Sequence, residues 1–192
     1  MRRGLWAVMV AVTIGLAQVV AQEFVAEQPI LLTAAGQSAD VLMVKLMLER
    51  NKLQFTFDKL ATPEQLTGMK TLVLVAGGSS KGLGAAKIDA KQELERTSAL
   101  IARAKKEGIK VIGVHIGSEA RRGSMSDQFN KATAEAADCL VVLKSGDQDQ
   151  FFTKIATARR IPLFGVEKIT DAIPVFGRLF ARQTPQPQER EQ

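Results

Sequence analysis

At 192 residues, 46% hydrophobic and 24% charged, the chain has the size and composition of one globular domain with a full core, and too little length for a second. Its formal charge of +6 is interleaved with acidic residues along stretches such as Lys91-Gln92-Glu93-Leu94-Glu95-Arg96, there is no Tyr, and the only Trp is Trp6. Mixed charge without base-stacking platforms argues against nucleic acid as a partner, and a single histidine with a single cysteine argues against a metal site or an internal disulfide.

The chain opens with Met1-Arg2-Arg3, an apolar run from Leu5 to Val20, and the small residues Val19-Val20-Ala21. This pattern predicts a signal peptide over 1–21, cleaved before Gln22, and hence a periplasmic or otherwise extracytoplasmic protein. An uncleaved membrane anchor is the alternative, weakened by Gly4, Thr13, Gly15 and Gln18 within the run. An α/β domain is expected over 22–182. The tail 183–192 holds two prolines and no aliphatic residue, which predicts disorder.

Pro29–Thr33 is the first predicted strand, followed by a turn and a helix over Ala39–Arg50 with Ser38 as N-cap and Asp40 in the first turn. That helix carries Val41, Leu42, Val44, Leu46, Met47 and Leu48, so it should lie against the sheet. Leu53–Phe57 alternates with period two and reads as an edge strand. Thr62-Pro63-Glu64-Gln65 has an N-cap, a first-position proline and a glutamine three residues on, so a short helix starts there. Thr71–Ala76 is the third strand, and it opens into Gly77-Gly78-Ser79-Ser80-Lys81-Gly82.

Asp89 with Gln92 marks the start of a long helix ending at Gly108, leaving the glycine-rich stretch as loop. Lys110–Ile116 is the fourth strand, with a helix starting near Ser124. Cys139–Leu143 is the fifth strand and makes Cys139 an inert core thiol. Asp147 with Gln150 marks another helix, Ile161–Val166 a short sixth strand, and Asp171–Arg182 a last helix with Pro174 in its first turn. Strands alternating with helices predict an α/β fold: a single doubly wound, mostly parallel sheet of five or six strands, a flavodoxin-like or Rossmann-like three-layer sandwich.

In such a sheet the segments after each strand meet along one edge, where ligands bind. Ser38 and Asp40 follow strand one, Gly77, Gly78, Ser79, Ser80, Lys81 and Gly82 follow strand three, and His115, Glu119, Arg121 and Arg122 end or follow strand four. Glycines can free backbone N–H groups, and lysine and arginine add charge suited to a carboxylate or phosphate. Asp40 and Glu119 favour a ligand with a hydroxyl or amine beside its acid. The expected ligand is a small anionic or zwitterionic molecule, with a membrane transporter or sensor as the partner it would be passed to.

Gly78-Ser79-Ser80-Lys81-Gly82 also matches the G-x-S-x-G pattern of hydrolases, but that elbow needs a helix directly after the serine, and none is predicted before Asp89. The stretch AGGSSKGLGAA resembles the cofactor loop of short-chain dehydrogenases. That resemblance covers the loop alone, falls on the third strand instead of the first, and lacks the family's catalytic tyrosine, so no cofactor is expected. A resemblance over nearly the whole mature chain is carried by ILLTAAGQSADVLMVKLMLER, LVLVAGGSSKGLGAAKID and VIGVHIGSEARRGSMSDQF. These blocks resemble an uncharacterised family of exported bacterial α/β proteins, a domain of unknown function. The resemblance implies fold and export but no activity, so no catalytic residue follows from it.

Three functions fit these residues. The first is binding of the anionic ligand at the sheet edge without established catalysis. The second is a hydrolase or transferase using Ser79 or Ser80 with His115. The third is a protein-interaction module whose glycine loop is structural.

Overall fold

The structure is a computed structural model describing residues 24–181. The predicted signal peptide, its cleavage point and the tail therefore lie outside the described residues. Six strands form one parallel sheet in the order β2-β1-β3-β4-β5-β6: β1 (Ile30–Ala35), β2 (Phe55–Phe57), β3 (Thr71–Ala76), β4 (Lys110–His115), β5 (Cys139–Leu143) and β6 (Leu163–Val166). The helices are α1 (Asp40–Arg50), α2 (Ser80–Ala86), α3 (Ala90–Lys106), α4 (Ser124–Ala136), α5 (Phe151–Arg159) and α6 (Ala172–Leu179). The order reverses between β1 and β3, the doubly wound, flavodoxin-like arrangement.

Central strands of a parallel sheet are covered on both faces, so their sequences run apolar without a break. In β3, Val73 and Val75 join α1 and α6 in one core, while Leu72 and Leu74 join α3 in a second. Cys139 and Val141 of β5 fall into the first core, and Leu140 and Val142 pack with α4 and α5 in a third. Burial holds the Cys139 thiol at a pKa of about 12, so it stays protonated. Among the described residues no helix is long and apolar enough to cross a membrane.

Several local expectations need correction. A helix, α2, does follow Ser79 at once, where the sequence reading left loop as far as Asp89. The Ser79 hydroxyl accepts the Gly82 N–H at 3.1 Å, and that cap offsets two glycines of low helix propensity. Position Ala39, not Ser38, precedes α1. Only Val41, Val44, Met47 and Leu48 of that helix face the core, while Leu42, Met43 and Leu46 are exposed. Before α5, the Asp147 carboxylate accepts the N–H groups of Phe152 and Thr153, and Gln150 occupies the cap position with left-handed backbone. The last helix is shorter than expected: it starts at Ala172, after the 3-10 turn Ile169–Asp171, and ends at Leu179.

Candidate functional site

The turns after β1 and β3 meet where the strand order reverses, the place a ligand crevice is expected. Here the two turns are sewn to each other. Gly77 N–H donates to Ala35 at 2.9 Å, Ser38 N–H to Gly77 at 3.1 Å, and Ser79 N–H to Gly36 at 2.9 Å, each to the backbone carbonyl. Glycine is required at two points of this seam. Gly36 has φ +98°, and a Cβ there would stand 2.6 Å from the Gly77 oxygen; a Cβ on Gly82 would stand 2.1 Å from the Gln37 oxygen.

The seam is held from below by α3. Glu93, fully buried, accepts the Gly36 N–H at 2.9 Å and the Gln37 side-chain amide at 3.0 Å. It also forms a forked pair with Arg96 at 2.8 Å, and Arg96 donates to the carbonyls of Ala34 and Ala61. The sequence reading took Glu93 and Arg96 only as part of the interleaved charge of the stretch 91–96. An i, i+3 charge pair looks the same in sequence whether water or a β-turn lies against it.

Four of the amides expected to be free in the glycine loop are therefore engaged. Besides those of Gly77, Ser79 and Gly82, the Gly78 N–H donates to Ser126 Oγ at 3.1 Å. Ser38 is buried, and its hydroxyl donates to Asp40 Oδ2 at 2.7 Å. Asp40 lies 3.6 Å from the Arg121 guanidinium, so strands one and four do bring these two residues together. Lys81 projects into solvent from α2, and Glu119 is exposed at the start of the 3-10 turn Glu119–Arg121.

Arg122 is mostly committed. It donates to Asp127 at 2.7 Å, to Asp149 at 2.9 Å and to the Gly146 carbonyl at 2.8 Å, with its guanidinium 4.5 Å above the Phe151 ring. The bonds to Asp149 and Asp127 raise the guanidinium pKa further against its burial. The same Arg122 bonds hold Asp149 at about 2. Burial pushes Asp127 upward, but hydrogen bonds from Arg122, Asn130 and the Gly123 N–H outweigh it and leave that carboxyl below its ordinary range. His115 is sealed beneath these loops at 1% exposure, and neither Ser79 nor Ser80 bonds to it.

What remains open is a groove one strand further along, between the N-termini of α2 and α4. It is a shallow, solvent-open depression of about 450 Å³, lined by Gly78, Ser79, Ser80, Arg121, Ser124 and Met125, among others. The first turn of α4, preceded by Gly123 with φ +111°, has no side-chain cap. A smaller hollow of about 270 Å³ lies on the other side of Arg122, bordered by Glu119, Asp127 and Asp149. Of the expected site residues, Gly78, Ser79, Ser80, Arg121 and Arg122 line the groove. Ser38, Gly77, Gly82 and His115 are built into its support, and Ser124, Met125 and Ser126 were missed.

The pattern of the family described as Domain of unknown function (DUF6305) covers residues 27–180. The chain belongs to that family. No functionally curated protein matches this DUF6305 chain. Among solved structures it is similar to a GDSL-like lipase from Bacteroides thetaiotaomicron, at 13% identity and a TM-score of 0.32, over 71% of this chain and 66% of the lipase chain. It is also similar to a serine-to-alanine mutant of the esterase AlinE4, at 8% identity and a TM-score of 0.31, over 88% of each chain.

Proposed function

We propose that this DUF6305 domain is an extracytoplasmic binding protein for a small anionic ligand, seated in the groove between α2 and α4. The observation that carries this reading is the groove itself: Arg121, four serines and the uncapped first turn of α4 border one open space of about 450 Å³. Backbone N–H groups at a helix start carry partial positive charge, and serine hydroxyls supply further donors. Arg121 adds a full charge. Its only ion pair among the described residues is with Asp40, at 3.6 Å, longer than a hydrogen bond, which leaves most of the guanidinium fork available.

Catalysis by Ser79 or Ser80 with His115 lacks the required contact. Ser79 caps α2, the Ser80 hydroxyl lies 3.4 Å from the Met125 sulfur, and His115 Nδ1 is engaged with the Ala76 carbonyl. The glycine loop is better explained as the seam between β1 and β3 than as a cradle.

The reading is tested by native mass spectrometry of the protein purified from its own host, followed by melting-temperature shifts with inorganic phosphate, sulfate, small carboxylates and amino acids. A retained small acid, or a saturable upward shift with one probe class, is the expected result. No retained molecule and no shift with any probe would contradict it.

A further inference from the structure

His115 is the only histidine in the chain and ends β4. Its Nδ1 lies 3.1 Å from the carbonyl oxygen of Ala76. A carbonyl only accepts, so Nδ1 carries the proton and the neutral ring holds a lone pair at Nε2. Nε2 is buried and has no hydrogen-bond partner among the described residues. The ring is clamped by Phe152, stacked at 4.7 Å, and by Gly146, where a Cβ would stand 2.9 Å from Nε2.

The carbonyl of Gly146 is the one that Arg122 holds, together with Asp127 and Asp149. Arg122 thus latches residues 144–150 down over the imidazole. We propose that His115 is an acid-sensitive switch beneath this latch, and that protonation of Nε2 releases residues 144–150 from the end of β4. The proton would create an N–H donor where no acceptor stands and a second positive charge behind Arg122. Opening the segment gives that N–H water.

The charges facing His115 come from three elements. Arg122, in its own following loop, opposes protonation, while Asp127 of α4 and Asp40 of α1 favour it. On the remaining sides, α5 presents the uncharged Phe152, and in the latched segment Lys144 pairs with Glu167 while Asp147 caps α5. Burial is the largest influence and holds the imidazole below its usual 6.5. Asp149, at about 2, and Asp127, below its ordinary range, stay ionised from pH 7 to pH 5. The latch itself therefore does not titrate there, whereas an imidazole freed by opening, with its usual value near 6.5, does.

The sign follows from the lowered value. The folded state binds fewer protons than the unfolded chain, so stability is complete above about pH 6.5 and falls as pH drops below it, until the folded ring also takes up its proton. Arg122 and Gly123 border both the groove and the smaller hollow, so release reshapes both. The inference stands whatever the groove binds.

Hydrogen exchange of the full chain, corrected for intrinsic rates, tests it at pH 7.0 and 5.5, with His115→Gln as the non-titrating variant. In the unmodified chain, amides of 144–150 should lose protection by about tenfold per pH unit below the imidazole's unfolded value, while β1 and β3 hold theirs. In His115→Gln that loss should vanish. If the variant does not fold, an NMR titration of the His115 ring in the unmodified chain replaces it: the midpoint should lie below 6.5, with the exchange increase setting in near 6.5 and levelling off at that midpoint. A pH-independent segment, the same loss in His115→Gln, or a ring midpoint at or above 6.5 would overturn the proposal.

Discussion

Arg96 has 13% of its side chain exposed, and its carboxylate partner Glu93 has none. Replacing Glu93 by alanine would strand a buried guanidinium and leave the Gly36 N–H without an acceptor. The expected loss is about 3 to 5 kcal/mol, because removing one partner of a buried pair leaves the other uncompensated. Glu93→Gln should cost less, since its amide oxygen can still accept the Gly36 N–H. Urea unfolding of both variants measures the difference, and equal losses would mean that the charge pairing carries the effect and the acceptor for Gly36 contributes little. A second residue-scale expectation concerns Gly82, where a Cβ would stand 2.1 Å from the Gln37 oxygen. Backbone must shift to admit it, so Gly82→Ala should lower stability by about 1 to 3 kcal/mol. An unchanged denaturation midpoint would show that the seam yields without cost.

At the scale of elements, the strands were legible because buried parallel strands are continuous apolar runs, as in Thr71–Ala76 and Cys139–Leu143. Helix α3 was legible from Asp89 and Gln92, whose side chains do form a reciprocal cap. Helix α2 was not, because Gly82 and Gly84 lower its intrinsic propensity and its stability comes from the Ser79 cap and from docking against Gln37. The outward face of α1 was also misjudged. Leu42, Met43 and Leu46 are as apolar as the residues that face the core, and sequence alone does not say which side of a doubly apolar helix is covered. For the proposed site, the sequence named the edge where these loops meet but not which of them would be closed. Whether a glycine loop cradles a ligand or zips onto its neighbour depends on partners such as Ala35, Gly36 and Ser126 that only the fold supplies.

For the whole molecule, the β1–β3 reversal point is filled by its own backbone, and the open groove lies between β3 and β4 instead. Export remains a proposal resting on Met1–Ala21. N-terminal sequencing of the secreted fraction should find a chain beginning at Gln22, and recovery of Met1 with the membrane fraction would contradict it. Anion binding is the central claim, and calorimetric titration tests it most directly, using whichever probe anion first shifts the melting temperature. Arg121→Ala should weaken binding by about 1.5 to 3 kcal/mol, as expected for hydrogen bonds to a charged group, with the fold's stability nearly unchanged. Lys81→Ala, on the solvent side of α2, should bind as the unmodified chain does. Full affinity in Arg121→Ala would contradict the account, because the groove would then not be where the anion sits.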